Sequence, residues 1–138
     1  MEKQYILWTD DLNVNIEIID AQHKKIIDIL NKLYEMHLNE KYTLVNEVIQ
    51  ELKDFTNYHF DAEEKILKEI DFHEYLDQKT RHDKFKKLLL IYSDFKIVSG
   101  LKEMCKNLLF FVQNWFISHI KNVDKKSFSG INEKKART

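Results

Sequence analysis

His23, the pair His59 and Glu63, the single His82, and the pair His119 and Asp124 are all metal-ligand types, spread over four separate stretches of the chain. Each stands where an apolar helical stripe would otherwise run. Buried imidazoles and carboxylates are unfavourable unless something holds them, so their recurrence on core-facing positions points to a metal at the centre of a helical domain. Imidazole nitrogen with carboxylate oxygen suits iron, zinc or manganese. The absence of cysteine ligands argues against a thiolate or iron–sulfur site. Two carboxylates among four imidazoles exceed what one structural zinc requires. A carboxylate can span two metals, which makes Glu63 and Asp124 natural bridges in a dinuclear centre.

The elements that must carry these residues are helices. The chain has 138 residues, no proline, two glycines (Gly100 and Gly130) and 33% charged residues. That length fits one domain, and that composition lets helices run long and supplies few hairpin turns. After an irregular arm through about Asn15, which reads as an N-cap, a helical stripe runs Ile19, His23, Ile26, Ile27, Leu30, Leu33 and Tyr34. A second runs Val45, Val48, Leu52, Phe55, His59, Glu63, Ile66 and Ile70, with His59 and Glu63 stacked one turn apart. Ile70-Asp71-Phe72-His73 reads as a connection. The third stripe is Tyr75, Gln78, His82, Phe85, Leu89 and Tyr92, and Gly100 breaks the chain before the fourth, which spans Leu101, Met104, Leu108, Val112, Trp115, His119 and Val123. The expected fold is all-α, an up-down-up-down four-helix bundle with an irregular N-terminal arm.

Asp124 raises a difficulty. It lies five residues after His119, more than a quarter turn off the helical face, and can join His119 only where the helix ends or unwinds. Beyond it the apolar stripe fails, and residues 125–138 are predominantly basic. We therefore expect a domain over residues 1–124 and a flexible tail over 125–138. A net charge of −1 gives no general field favouring nucleic acid or a membrane surface. No apolar run approaches the roughly 20 residues of a spanning helix, and no signal peptide is visible. Cys105 alone forms no internal disulfide and reads as a small core residue, so the expected compartment is cytoplasmic. His37, at the end of its helix, reads as unliganded surface. Ile26, Phe60, Trp115 and Phe116 lie within a turn of the ligands and suit both core packing and the wall of a dry pocket.

The motifs Trp8-Thr9-Asp10, Ile19-Asp20-Ala21-Gln22-His23, His59-Phe60-Asp61-Ala62-Glu63, His82-Asp83-Lys84-Phe85 and Trp115-Phe116-Ile117-Ser118-His119-Ile120, with Asp124, occur in this order over residues 5–124. Together they resemble the bacterial haemerythrin family. The resemblance implies two non-haem iron ions bridged by oxide or hydroxide, and reversible binding of dioxygen. It further implies that His23 and His59 hold an iron with an open position, that His82 and His119 hold the other, and that Glu63 and Asp124 bridge them.

One position departs from the family pattern. The third helix of the family carries two histidines four apart, followed three residues later by phenylalanine; here His82 and Phe85 fill the later places and Gln78 stands in the earlier one. Glutamine can offer a carbonyl oxygen, a weaker and harder ligand than imidazole, or leave the place to water. His73 sits five residues before Gln78, in a turn position. The leading functional expectation is a dioxygen-binding protein for storage, delivery or sensing, with dioxygen or a related small oxidant as ligand and a redox partner not identified by the sequence. The alternatives are a di-iron enzyme that reduces peroxide or nitric oxide or consumes dioxygen, and an iron-buffering protein.

Overall fold

The computed structural model describes residues 5–94 and 100–129. They form four long helices: α1 (Glu17–Leu38), α2 (Val45–Ile70), α3 (Phe72–Asp94) and α4 (Leu101–His119). α1 packs on α2, α2 on α3, α3 on α4, and α4 closes back onto α1. This ring of sequence neighbours is the expected up-down-up-down bundle. Its core is aliphatic toward one end, around Leu30, Leu33, Leu52 and Leu108, and aromatic around Phe60, Phe85 and Phe116. No described helix is long and apolar enough to cross a membrane.

Local chemistry sets the helix ends. Asn15 does not cap α1; it lies in the left-handed region with φ 62°, and Ile16 is the N-cap. Asp20 reaches back instead, and its carboxylate accepts from the backbone N–H of Val14 at 2.8 Å and of Asn15 at 3.2 Å. This ties the arm to the first turn. The arm is also held by Asn31, whose side chain accepts from the N–H of Tyr5 and Ile6 and donates to the Ile6 carbonyl. The connection between α2 and α3 shrinks to Asp71 alone, since helix resumes at Phe72; the Asp71 carboxylate accepts from the Glu74 N–H at 3.3 Å, as an N-cap does. Gly100, with φ 84°, supplies the left-handed residue that opens α4.

After α4 the backbone widens into a π-helical turn over Ile120–Asp124 and returns to α-helix over residues 125–129. The expected tail boundary at residue 124 is therefore corrected. Ser127 and Phe128 are buried, Phe128 completely, so this last segment belongs to the domain. A single phenylalanine among lysines carries no periodicity, which is why composition misreads it. The remainder of the expected tail, residues 130–138, lies outside the described residues.

Candidate metal centre

Each helix delivers one part of a central cluster. α1 brings His23, α2 brings His59 and Glu63, α3 brings Gln78 and His82, α4 brings His119, and the π turn brings Asp124. All are buried, six of them with no exposed surface and His119 with 5%. His23, His59, Glu63 and Asp124 each offer a ligand atom within 4.8 Å of the others, as do Glu63, His82 and His119. Glu63 belongs to both groups. Asp124 spans them too, with Oδ2 3.2 Å from His23 Nε2 and Oδ1 3.2 Å from His119 Nε2. Glu63 Oε1 lies 3.2 Å from His59 Nε2 and 3.3 Å from His82 Nε2, and Oε2 lies 3.6 Å from His23 Nε2.

Apart from Asp124 Oδ1 and His119 Nε2, which contact Gln78, these atoms converge without forming hydrogen bonds. His23 Nδ1 and Nε2, His59 Nε2, His82 Nε2, both Glu63 oxygens and Asp124 Oδ2 are buried with no hydrogen-bond partner. Each unpaired buried group costs about 1–3 kcal/mol, and the sum rivals the whole margin of about 5–15 kcal/mol that keeps a domain folded. A cation at the focus would remove that penalty for all of them except His23 Nδ1, the other nitrogen of a ring whose Nε2 faces the carboxylates. Neighbouring ligands set at right angles on an ion, with bonds of roughly 2.1 Å, lie roughly 3 Å apart. The separations of 3.2 and 3.3 Å are close to that spacing. The donor set and its geometry therefore fit first-row metal ions.

Without a cation, the cluster's own charges decide its protonation. Burial pushes the His23 imidazole down, but the negative Asp124 and Glu63 carboxylates that face it outweigh burial and hold the group at about 9. His82 likewise stands at about 9, because Glu63 and Glu64 overcome the effect of burial. For His59 burial wins, and its affinity for a proton is lowered. Burial raises both carboxyls, yet the facing imidazoles hold Glu63 well below the usual range and Asp124 below it.

The imidazoles are aimed by a surrounding layer of partners. His82 Nδ1 is 2.8 Å from Glu64 Oε2; a carboxylate only accepts, so Nδ1 donates and Nε2 is the nitrogen left to face the centre, where a bound cation would displace its proton. His59 Nδ1 is set in the same way by Gln22 Oε1 at 2.8 Å. Aromatic rings then clamp the imidazole planes. Phe60 stacks on His82 with centroids 3.9 Å apart, Trp115 stacks on His119 at 4.3 Å, and Phe116 meets His23 edge-on at 5.8 Å. Those three aromatics thus wall the cluster, and Ile26 is fully buried in the core. A surface groove of about 650 Å³ between α3 and α4, bordered by Arg81, Phe111 and Trp115, reaches His119.

The profile described as Hemerythrin HHE cation binding domain matches residues 14–129, a span that takes in the whole cluster and the helical turn after it. The chain belongs to the hemerythrin family. It is 31% identical over 121 residues to the bacteriohemerythrin of Pseudomonas aeruginosa, covering 87% of this chain and 77% of that protein. Against the bacteriohemerythrin of Clostridium acetobutylicum it is 32% identical over 123 residues, covering 86% and 95%. A solved structure of a hemerythrin variant superimposes with a TM-score of 0.77 at 24% identity, covering 89% of this chain and 94% of the other, which supports the shared fold.

Within this hemerythrin domain the residues expected from sequence come together. His73 does not join them; it is exposed in the first turn of α3. His37 is also outside, but it is half-buried rather than free surface, with Nδ1 3.1 Å from the Tyr42 hydroxyl. Gln22, Glu64, Glu74 and Ser127 were not expected to take part. Gln22 directly precedes His23 within one of the motifs that carry the resemblance, and Glu64 directly follows Glu63, which is the signal each carries. Glu74 and Ser127 are 53 residues apart and meet only through the fold.

Proposed function

We propose that this chain holds two iron ions and binds dioxygen reversibly, serving storage, delivery or sensing. In this reading His23 and His59 serve one ion, His82 and His119 serve the other, and Glu63 and Asp124 bridge the two. The observation that carries it is the convergence of unpaired buried nitrogens and oxygens on two foci that share Glu63. Iron held there would supply the electrons that such binding requires.

The protein's own residues do the rest. Glu64 and Gln22 engage Nδ1 of His82 and His59, so Nε2 of each ring is the nitrogen turned toward the centre and available to an ion. Phe60, Phe116 and Trp115 exclude water from the imidazole faces, which favours a neutral diatomic ligand over hydrated ions. Phe116 lies within ring contact of both His23 and His59, with centroids 5.8 and 6.0 Å away, so it borders the ion that these two would serve.

The test is an absorption spectrum of anaerobically iron-loaded protein, cycled between argon and dioxygen. Reversible change in step with the gas, stoichiometric with the chain, is the expected result. Sustained consumption of dioxygen, peroxide or nitric oxide with an added reductant, and no reversible spectrum, would replace this reading with that of an enzyme. Gln78, standing where an imidazole is expected, is the observation that keeps the second reading open.

A further inference from the structure

Gln78 is fully buried, and its neighbours allow its side-chain amide one orientation. The Glu74 carboxylate only accepts, so the Ser127 hydroxyl, 2.8 Å from Glu74 Oε2, donates its proton there. Ser127 Oγ is left as an acceptor toward Gln78, which places the amide nitrogen Nε2 3.2 Å from it. Asp124 Oδ1, another acceptor, lies 2.8 Å from the same nitrogen. The carbonyl Oε1 is therefore turned the other way, to 2.9 Å from His119 Nε2.

In the metal-free protein a proton on His119 Nε2 satisfies that contact. As a metal ligand the same nitrogen carries no proton, and two lone-pair atoms 2.9 Å apart repel unless a cation lies against both. Their spacing matches the roughly 3 Å between adjacent ligands on an ion with bonds of roughly 2.1 Å. We propose that Gln78 binds the second ion through its carbonyl oxygen, and that Ser127 and Glu74 are positioning residues that hold the amide in this orientation. The place of the missing imidazole is thus filled by the protein, with a harder and weaker donor. This inference rests on the paired-ion reading above.

Anaerobic titration of the metal-free protein with ferrous ion, followed by metal analysis, separates the two. Native protein should take two ions. Gln78→Leu should weaken the second by about tenfold or more and the first by less than about twofold, and Ser127→Ala should act in the same direction. Ser127→Thr, which keeps the hydroxyl, and Gln78→His, which supplies a nitrogen donor, should restore the second ion. Helicity of each metal-free variant reports folding. Two ions in native protein, with second-ion affinity within about twofold of native in both Gln78→Leu and Ser127→Ala, overturns the role of Gln78 and leaves the paired-ion reading intact. Native protein that takes one ion or none overturns both. A crystal structure of iron-loaded native protein decides independently of the variants: the carbonyl oxygen of Gln78 bonded to iron supports the proposal, and a water between them overturns it.

Discussion

His119 Nε2 lies 3.2 Å from Asp124 Oδ1, although five residues separate them and an α-helix would set them more than a quarter turn apart. The π turn over Ile120–Asp124 resolves the mismatch. By accommodating one extra residue it returns Asp124 to the face that carries His119, and it lets the following α-helical turn bury Ser127 and Phe128.

If register is what the π turn supplies, deleting the exposed Asn122 should convert the segment to ordinary α-helix, with the aspartate four residues after His119. Metal content should stay near that of the native protein. Inserting an alanine after Asn122 should instead swing Asp124, Ser127 and Phe128 off the inner face and lower metal content as far as Asp124→Ala does. Metal analysis of the three variants checks this, and equal loss in the deletion and the insertion would refute it.

Glu63 belongs to both ligand groups, whereas His37 touches neither and contacts Tyr42. Glu63→Ala should therefore release metal from both foci, leaving well under half of the native content. His37→Ala should keep its full complement. Equal retention in the two variants would contradict a bridging Glu63.

Phe128 is completely buried in the helical turn after the site. Phe128→Ala should destabilise the protein by about 3–5 kcal/mol, the usual cost of emptying a buried phenylalanine site. Denaturant unfolding measures it. A change under about 1 kcal/mol would restore the tail boundary at residue 124, because surface positions rarely exceed that.

What the sequence makes legible follows from where polar residues interrupt apolar periodicity. His23, His59, Glu63 and His82 stand on four-residue spacings within long stripes, so both their helices and their inward direction can be read directly. Asp124 is legible as a residue type, but the backbone change that brings it in is not, since no proline or glycine marks a π turn here. The closing segment is misread because Phe128 is flanked by lysines and serines, and a single anchor leaves no period. Asp20 capping backwards to Val14, and Ser127 meeting Glu74, depend on chain reversals that spacing does not encode.

The metal-free protein should show a definite pH dependence. In the unfolded chain a histidine titrates near 6.5, whereas folding holds His23 and His82 at about 9. Their stabilisation is therefore fully present below about 6.5 and is lost as pH rises through about 9. Glu63, depressed from 4.5, contributes in the opposite sense: its stabilisation is present above about 4.5 and is lost as pH falls through its lowered folded value. Metal-free protein should unfold at lower denaturant concentration at pH about 9.5 than at about 6, and metal-loaded protein should lose much less over that range because cations replace the protons. Equal alkaline losses in the two forms would show that these imidazoles do not carry the effect.

On the proposed reading, four imidazoles and two carboxylates, drawn from all four helices and the π turn, gather two iron ions. Iron quantified per chain after anaerobic reconstitution of metal-free protein, with zinc measured in the same sample, tests it most directly. The expected result is close to two irons per chain. A reproducible single zinc, with no iron retained even under iron-replete conditions, would contradict it.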